Sequence, residues 1–296
     1  MALPFSRPST LPPGFTMSRC TPADVQVNPY YTPLEDEQSD LIFTEDQVSL
    51  QFASLLVNIT TTITGKKDGS PDGEILSRPP AVSNMDAFSD KEYTYWWGPV
   101  PAMWSWQEER IRRRFADPST QQFKVVDDAD GKIVAWAKWD PPSQMVGLRE
   151  GFTVYDESVD GNKNGKEIRK GDGEIEAHTL GPPEGSNVAL FKTFFDGVAG
   201  AEKKFQASEK LVLTHVCTRH RYHGLGIGSA LLRSVLDLAD KESLWAYLEA
   251  TRLAVPAYQR LGFEIVDKLE FDRTEAGFDT PSVLHIMLRE PQTLKR

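Results

Sequence analysis

The chain has 296 residues, with 33 Lys and Arg against 43 Asp and Glu, so its formal net charge is −10. A composition of 40% hydrophobic and 26% charged residues is typical of a globular protein and argues against a disordered or collagen-like chain; no apolar stretch approaches the roughly 18 residues of a membrane span. The acidic balance argues against non-specific binding to nucleic acid, which needs clustered Lys and Arg, and slightly favours basic partners.

The first third of the chain predicts few clear elements. Residues 1–14 contain four prolines and are expected to form an extended arm. A signal peptide is not expected, because it would need an apolar run in this segment. Residues 15–20 alternate between apolar and polar side chains, which is the period of a β-strand. A helix is expected near 46–60, and the segment 65–84, rich in Gly, Pro, Lys, Asp and Ser, is expected to be a loop.

An aromatic cluster precedes the next predicted helix, and its members are Tyr93, Tyr95, Trp96, Trp97, Trp104 and Trp106. Such clusters are typical of a protein core, and the alternative is an aromatic platform for a cationic or flat ligand. Residues 108–115 are good helix formers. Their arginines, Arg110 and 112–114, are expected to form a solvated helix face that pairs with Glu108 and Glu109.

The middle of the chain predicts a hairpin, an insertion and a helix. Residues 123–127 and 132–139 are strand-like runs joined by the turn 128–131, Asp-Ala-Asp-Gly. The segment 150–186 is Gly-rich and polar and is expected to be an exposed insertion. A helix is expected over about 186–206.

The last third of the chain has the clearest pattern. It predicts strand, helix, strand, helix, strand and strand, at 211–218, 226–242, 244–249, 254–261, 263–271 and 283–289. In the first of these helices Ile227, Leu231, Val235 and Leu238 form one apolar stripe. The second has Pro256 in its first turn and Gly262 just past its end, as helix termini favour. This order indicates an α/β unit around a sheet.

Between the strand 211–218 and the helix that follows it lies a glycine-rich turn with glycines at 224, 226 and 228. Glycines let backbone N–H groups approach an anion, and the helix N-terminus adds its positive dipole end, although such turns also serve packing alone. A P-loop would require a Lys that is missing here. A dinucleotide fingerprint fails at Ser229, where its third glycine belongs, although Glu249 lies where the ribose-binding acid would stand.

Two motifs carry a resemblance to a known family. The segment Arg221-Tyr222-His223-Gly224-Leu225-Gly226 resembles the Q/R-x-x-G-x-G/A motif with which GNAT acetyltransferases bind the pyrophosphate of acetyl-CoA. Downstream, Tyr258-Gln259-Arg260-Leu261-Gly262-Phe263 looks like the Y-x-x-x-G-F signature of the same superfamily. The arm at 1–14 and the Trp-rich region are similar in style to fungal members.

The resemblance implies a fold and a cofactor site. The implied fold is a mixed α/β (α+β) GNAT-like acyl-CoA N-acyltransferase fold, a twisted, mostly antiparallel sheet with splayed central strands and flanking helices, in a single domain over 15–296. A β-bulge is expected to separate the strand 211–218 from the one beginning at Leu244. The residues implied to hold the pantetheine arm and the pyrophosphate are Val216, Cys217, Thr218, Arg221, Tyr222, His223, Gly224, Leu225, Gly226, Ile227, Gly228 and Ser229.

Three residues are candidates for proton transfer. Tyr258 matches the family position of the general acid that protonates the departing thiolate, and the alternative is a core tyrosine. Some members place a Glu base on the strand before the glycine turn, and residues 211–218 contain no acid. This leaves Glu249 and His215 as candidate bases. Glu249 is favoured, because His215 is two residues from Leu213 in the strand and is expected to face the core on the same side. Cys217 is expected to be inert core rather than a nucleophile.

These expectations combine into one function and two alternatives. The protein is expected to transfer acetyl from acetyl-CoA to a primary amine, on a small molecule or a peptide, by direct attack in a ternary complex. The alternatives are a catalytically silent acyl-CoA-binding module and a dinucleotide-dependent oxidoreductase. No metal, nucleic acid or membrane partner is expected, and the protein is expected to be a monomer or homodimer. Two cysteines, too few for a disulfide framework, favour a cytoplasmic location, with the nucleus also open.

Overall fold

The computed structural model describes residues 3–5, 8–24, 95–99, 102–103, 106, 109–110, 113–117, 119–150, 180–219 and 222–292. The helix expected near 46–60 and the loop at 65–84 lie outside these residues, as do Tyr93, Trp104, Glu108, Arg112 and Arg221. Within the described part of the chain, no helix is both long and apolar enough to cross a membrane.

Seven strands of the described part of the chain form one sheet. In chain order they are β1 (Phe15–Arg19), β2 (Gln121–Asp127), β3 (Ile133–Asp140), β4 (Leu211–Thr218), β5 (Ala246–Thr251), β6 (Glu264–Phe271) and β7 (Ser282–Arg289). Their order across the sheet is β1-β2-β3-β4-β5-β7-β6, and every pair is antiparallel except β4 and β5. The predicted mixed α/β fold with a mostly antiparallel sheet is therefore confirmed.

Three α-helices lie wholly within the described residues, namely α1 (Val188–Lys204), α2 (Ile227–Lys241) and α3 (Val255–Gln259). Asn187 begins α1, where its side chain accepts a hydrogen bond from the Leu190 backbone N–H at 3.1 Å. At the other end of the fold, Gly262 ends the α3 turn with φ +90°, a backbone conformation that favours glycine. The strand and helix boundaries fall within two residues of the expected ones.

Strand β5 is shifted as a whole, because it begins and ends two residues later than expected. Residues 244–249 were the expected strand, whereas β5 is Ala246–Thr251. Leu244 instead closes the turn after α2, because its backbone N–H donates to the Ala239 carbonyl at 2.9 Å. Glu249 consequently lies inside the strand rather than at its end.

The helices cover opposite faces of the sheet. On β5, Ala246, Leu248 and Ala250 belong to the large core cluster with the buried stripe of α2, whereas Tyr247 packs with Ala201 of α1 on the other face. We refer to these as the α2 face and the α1 face. The alternation follows from the two-residue period of a strand, and it makes the sheet the middle of three layers.

The α2 stripe confirms the expected helix periodicity. Ile227, Leu231 and Val235 are buried in the core cluster, and Leu238 packs against it from a partly buried position. Burying a side chain of this size contributes about 1.5–3 kcal/mol, so the stripe fixes how α2 lies on the sheet. The N-terminal turn of α2 is thereby held at the end of β4.

The arginine-rich helix differs from its expected solvated face. Arg113 pairs with Glu109 at 2.6 Å on the surface, as expected of that face. Arg110, however, lies over the Trp106 ring at 4.5 Å, and burial lowers its pKa to about 10. Arg114 lies 3.8 Å from the Asp140 carboxylate. Arg110 and Arg114 are therefore packed against the α1 face, because an aromatic ring and a carboxylate there interact favourably with their positive charges.

The aromatic residues described here pack as core. Trp96 is fully buried, and Trp106 is nearly so, in a cluster with Phe191, Phe194 and other side chains of α1. Ring centroids of Trp96 and Phe191 are 5.1 Å apart at a steep angle, the edge-to-face arrangement that aromatic pairs prefer. The core interpretation therefore holds for Trp96 and Trp106, and Trp97 is only partly buried.

Candidate functional site

The glycine turn after β4 is anchored by two side chains. The Tyr222 hydroxyl donates to the Asp127 carboxylate of β2 at 2.8 Å, and the Tyr222 ring meets Phe15 edge to face. His223 Nε2 lies 2.7 Å from the Thr218 carbonyl at the end of β4. These two expected cofactor residues therefore hold the shape of the turn, whereas Arg221 lies outside the described residues.

The turn opens toward the N-terminus of α2. Gly224 and Gly226 have φ of +78° and +81°, and a Cβ at either would meet no atom within 4 Å. Gly226 is the N-cap of α2 and supplies no side-chain cap to the first backbone N–H groups of the helix. Those groups need an acceptor, and the helix dipole favours a negative one. The turn can therefore hold an anion such as a phosphate with backbone alone.

The other turn residues divide into packed and exposed positions. Ile227 is buried, and a Cβ on Gly228 would lie 3.0 Å from Thr218 Oγ1, so this glycine lets the helix start close to β4. Leu225 and Ser229 are exposed. Ser229 is the third residue of α2, where a side chain lies beside the free N–H groups of the first turn.

Strands β4 and β5 separate after two residue pairs. Their register includes only Leu211 with Ala246 and Val212 with Tyr247, although β4 continues to Thr218 and β5 to Thr251. The edge of β4 that contains Val216, Cys217 and Thr218 is therefore unpaired with β5 in the described part of the sheet. An unpaired strand edge offers backbone N–H and C=O groups to an extended ligand. We call this opening the slot.

The expected bulge lies on the other side of β4. Lys138 pairs with His215 and Trp139 with Leu213, so Thr214 is an extra residue opposite β3. The bulge reverses the alternation of the strand. Leu213 and Val216 both belong to the α2-face core, and His215 lies with Lys138 on the α1 face. The expectation that His215 shares the face of Leu213 is therefore wrong.

Tyr258 lies on the α2 side of the slot. It is fully buried in the core cluster that also contains Val216 of β4 and Ala250 of β5, and its ring meets Phe263 edge to face at 5.8 Å. Burial raises the pKa of its hydroxyl well above the usual value. That hydroxyl has no hydrogen-bond partner among the described residues, which is costly for a buried polar group unless a ligand supplies one.

Glu249 lies on the α1 side, two residues past the last β4–β5 pair. Burial raises the pKa of its carboxyl to about 7; the neighbouring Tyr247 hydroxyl acts against this, and the Glu202 carboxylate adds to it. Its Oε1 atom has no hydrogen-bond partner among the residues described. A pKa near neutrality suits a group that must take up and release protons.

His215 and Cys217 are less suited to the roles considered for them. Burial, together with the charges of Lys138, Arg110 and Arg114, lowers the pKa of His215 well below its usual value, so the ring is neutral. The ring stacks on Trp136 at 5.8 Å and is 7% exposed. Burial also raises the pKa of the Cys217 thiol to about 12, so almost no thiolate exists at neutral pH.

The sequence pattern missed a buried polar group beside His215. The Lys138 ammonium donates to Thr214 Oγ1 at 2.9 Å and lies 3.3 Å from the Asp140 carboxylate, which also accepts from Thr120. Burial lowers the pKa of Lys138 to about 8. Burial works to raise the pKa of Asp140, but Lys138 and Arg114 outweigh it and lower that pKa. The sequence signal that could have predicted this buried group is Lys138 itself, a lysine within the otherwise apolar run 133–139.

A cleft of about 460 Å³ lies elsewhere, between the C-terminal half of α2 and the end of β7. Its floor contains the buried ion pair of Arg289 and Asp240, whose atoms are 2.6 Å apart at their nearest. Within the described residues, no group of three or more His, Cys, Asp or Glu side chains is placed to hold a metal ion. The slot and the glycine turn therefore remain the chemically distinctive part of the molecule.

Comparison with solved structures finds acetyltransferases. A histone acetyltransferase HPA2 and related acetyltransferase from Corynebacterium glutamicum is 21% identical, with 72% of this chain and 89% of that chain covered and a TM-score of 0.40. The ribosomal-protein-S18-alanine N-acetyltransferase of Escherichia coli is 14% identical, covering 62% and 79%, with a TM-score of 0.31. A GNAT-family acetyltransferase from Streptococcus pneumoniae is 13% identical, covering 63% and 75%, with a TM-score of 0.33.

A search of curated proteins finds no match. Residues 192–278, however, match the family described as acetyltransferase (GNAT) domain. This segment contains β4, the glycine turn, α2, β5 and α3, so the match covers both motifs on which the resemblance rests. It supports acyl transfer as the class of chemistry. The resemblance seen in the sequence is thus confirmed over residues 192–278, which match the model of a GNAT acetyltransferase domain.

Proposed function

We propose that the protein transfers an acetyl group from acetyl-CoA to a primary amine, by direct attack while both substrates are bound. The observation that carries the proposal is the slot, which opens past Val212 and leads to the glycine turn at the start of α2. An extended pantetheine arm would pair with the open edge of β4. Its pyrophosphate would accept hydrogen bonds from the turn and the first N–H groups of α2.

The slot has different chemistry on its two sides. Tyr258, on the α2 side, offers a hydroxyl proton, because burial keeps the phenol neutral. Glu249, on the α1 side, offers a carboxyl with a pKa of about 7. A thioester held between them would have its sulfur and its carbonyl carbon accessible from opposite sides. The two residues therefore suit the general acid and the general base of one reaction.

The proposed acetyl transfer makes one bond, breaks one bond and moves two protons. The nitrogen of the neutral amine forms a bond to the acetyl carbon, and the carbon–sulfur bond breaks. The departing thiolate takes the proton of the Tyr258 hydroxyl, and Glu249 accepts the proton that the nitrogen loses. A proton then passes through solvent from Glu249 to Tyr258, which restores both groups. Cys217 takes no part, because its thiol stays protonated at neutral pH.

Two further proposals concern the chain as a whole. The sheet runs without interruption from β1, at Phe15, to β7, which ends at Arg289, and this supports a single domain over 15–296 with an insertion at about 150–186. The end of that insertion packs against the aromatic cluster, where Trp106 Nε1 donates to the Gly181 carbonyl at 2.8 Å. Both cysteines are free thiols, which supports the proposed cytoplasmic location.

The experiment is a thiol-release assay with purified protein, acetyl-CoA and a panel of amines that includes small molecules, polyamines, amino acids and peptides. We expect thiol release that depends on one class of amine, with the acetylated amine detected by mass spectrometry. Binding of acetyl-CoA with no thiol release across the panel would favour the catalytically silent module. Binding of NADPH instead of acetyl-CoA would favour the oxidoreductase.

A further inference from the structure

A glutamate interrupts the sheet-facing stripe of α1. The stripe contains Phe194, Val198 and Ala201, which pack on the sheet, and Glu202 lies four residues after Val198 on the same side of the helix. An apolar residue is the usual occupant of such a position. The Glu202 carboxylate is only partly buried and has no hydrogen-bond or ion-pair partner among the described residues.

The packing of α1 places this carboxylate beside Glu249. Ala201, the preceding residue, packs with Tyr247 and Ile286. Ile286 is the β7 partner of Glu249, and Tyr247 is its neighbour two residues back on the same face of β5. The negative charge of Glu202 accordingly acts on both Tyr247 and Glu249. Glu202 therefore lies on the α1 side of the slot, close enough for its charge to act on Glu249.

Among the described residues, the cations of this face contact other groups, as Arg110 does in lying over the Trp106 ring at 4.5 Å. Lys138 and Arg114 lie near Glu202, but both are directed to Asp140. At the rim, Lys204 pairs with Asp267 at 2.6 Å. The remaining groups around the site are the neutral His215, whose buried Nδ1 has no hydrogen-bond partner in the described part of the chain, and Arg110 and Tyr247.

Burial and neighbouring charges raise the pKa of both carboxyls. Burial raises the pKa of Glu202, and Asp140 adds to this while Lys138 and Arg114 oppose it. The charge of Glu202 adds to the effect of burial and raises the pKa of Glu249 further, because a negative charge nearby resists the loss of its proton. A carboxylate beside such a charge is a stronger base than an isolated one.

We propose that Glu202 is a positioning residue: it stands beside Glu249 at the slot, makes Glu249 a stronger base, and draws the amine acceptor in as its ammonium ion. The inference rests on the proposed function and deepens it, because it assigns the site to acceptors that are protonated in solution. Glu249 takes the proton that the ammonium loses and releases it to solvent, which leaves the carboxylate able to accept the second proton when the nitrogen attacks. The neutral amine can then attack.

The first test does not depend on turnover. Full-length protein labelled with 13C at the glutamate carboxyl carbons is titrated by NMR, and the Glu249 signal is assigned with Glu249→Gln. We expect the titration midpoint of Glu249 to fall by at least about half a pH unit in Glu202→Gln, because a like charge is removed. The matched control is Glu209→Gln, an exposed glutamate five residues past α1, which should leave the midpoint in place. An unchanged midpoint in Glu202→Gln overturns the inference.

The second test uses the rate. In Glu202→Gln the acid limb of kcat/KM for the amine should move to lower pH, and kcat/KM above pH 8 should fall several-fold, because the base is weaker. Glu202→Asp should restore part of both effects. An acid limb that stays in place overturns the inference even if the rate falls. If no amine is acetylated by the wild type, the proposed function fails, and the NMR midpoint alone then decides the role of Glu202.

Discussion

Tyr258 and Glu249 lie on opposite faces of the sheet, on the two sides of the slot between β4 and β5. Tyr258 belongs to the α2-face core, and Glu249 lies next to α1 on the other face. Each has a buried polar oxygen with no hydrogen-bond partner among the described residues. A substrate that enters between β4 and β5 would give both oxygens a partner, and we therefore propose that the two residues act in one reaction.

Replacing Tyr258 with Phe removes the proposed acid and keeps the ring that packs on Phe263. We expect kcat to fall by about 100-fold or more, which is the usual contribution of a positioned proton donor, while the Kd for acetyl-CoA stays the same. Stability should be unchanged or higher by about 1 kcal/mol, because a buried hydroxyl without a partner is removed. Steady-state kinetics, calorimetry and urea unfolding give the three values, and an unchanged kcat would remove Tyr258 from the mechanism.

Ser229 offers a clean test of the anion site. Ser229→Glu places a carboxylate in the first turn of α2, where it favours the helix but repels a bound pyrophosphate. We expect affinity for acetyl-CoA to fall at least about 10-fold while the thermal midpoint of unfolding is unchanged or higher. Ser229→Gln, similar in size and uncharged, is the control and should bind more tightly than Ser229→Glu. Equal affinities in the two variants would count against the turn as the pyrophosphate site.

Gly226 is a poorer choice for such a test. Its φ of +81° strains any other residue, so a bulky substitution there would change the backbone as well as fill the space. Loss of binding in that variant would therefore not separate a blocked site from a distorted turn.

Glu249→Gln should change how stability depends on pH. The native carboxyl has a pKa of about 7 against an ordinary 4.5, so between these values the folded protein holds a proton that the unfolded chain has lost. The free energy of unfolding of the wild type therefore falls as pH rises through this window, by up to about 3 kcal/mol. The variant does not show this decrease, because the Gln side chain does not titrate. Urea unfolding at pH 5 and pH 8 should show the variant gaining on the wild type at the higher pH.

The control for this effect is Glu264→Gln, an exposed position on β6. Its stability relative to the wild type should be the same at both pH values. If Glu249→Gln behaves in the same way, the carboxyl titrates normally in the folded protein, and its role as the base loses its main support.

Cys217→Ala should retain activity within about threefold of the wild type, because a thiol with a pKa of about 12 supplies no nucleophile at neutral pH. Intact-mass spectrometry of the wild type mixed with acetyl-CoA should show no acetylated protein. An acetyl adduct that disappears in Cys217→Ala would instead establish a covalent route.

Much of the fold could be predicted from local pattern. The α2 stripe and the hairpin of β2 and β3 depend on residues close in sequence, where a period of 3.6 or 2 is decisive. The bulge at Thr214 was expected only as part of the family resemblance, and its position was not, because it is defined by pairing with Lys138 and Trp139 about 75 residues away. Its position reversed the face assigned to His215.

The parts of the site that could not be predicted from the sequence are contacts between distant segments. Lys138 and Asp140 are neighbours in β3, but their roles depend on Thr214 and Arg114, which other elements bring to them. In the sequence, nothing distinguishes Glu202 from other glutamates on predicted helices. Its place near Glu249 follows only from the packing of Ala201 on Tyr247. The glycine turn and Tyr258 could be found because each belongs to a compact motif.

A calorimetric titration of the wild-type protein with acetyl-CoA and, separately, with NADPH decides whether the glycine turn and the slot form an acyl-CoA site. We expect micromolar binding of acetyl-CoA at one site per chain and no heat from NADPH. Absence of acetyl-CoA binding would mean that the glycine turn and the slot serve packing or another ligand, and it would contradict the proposed function.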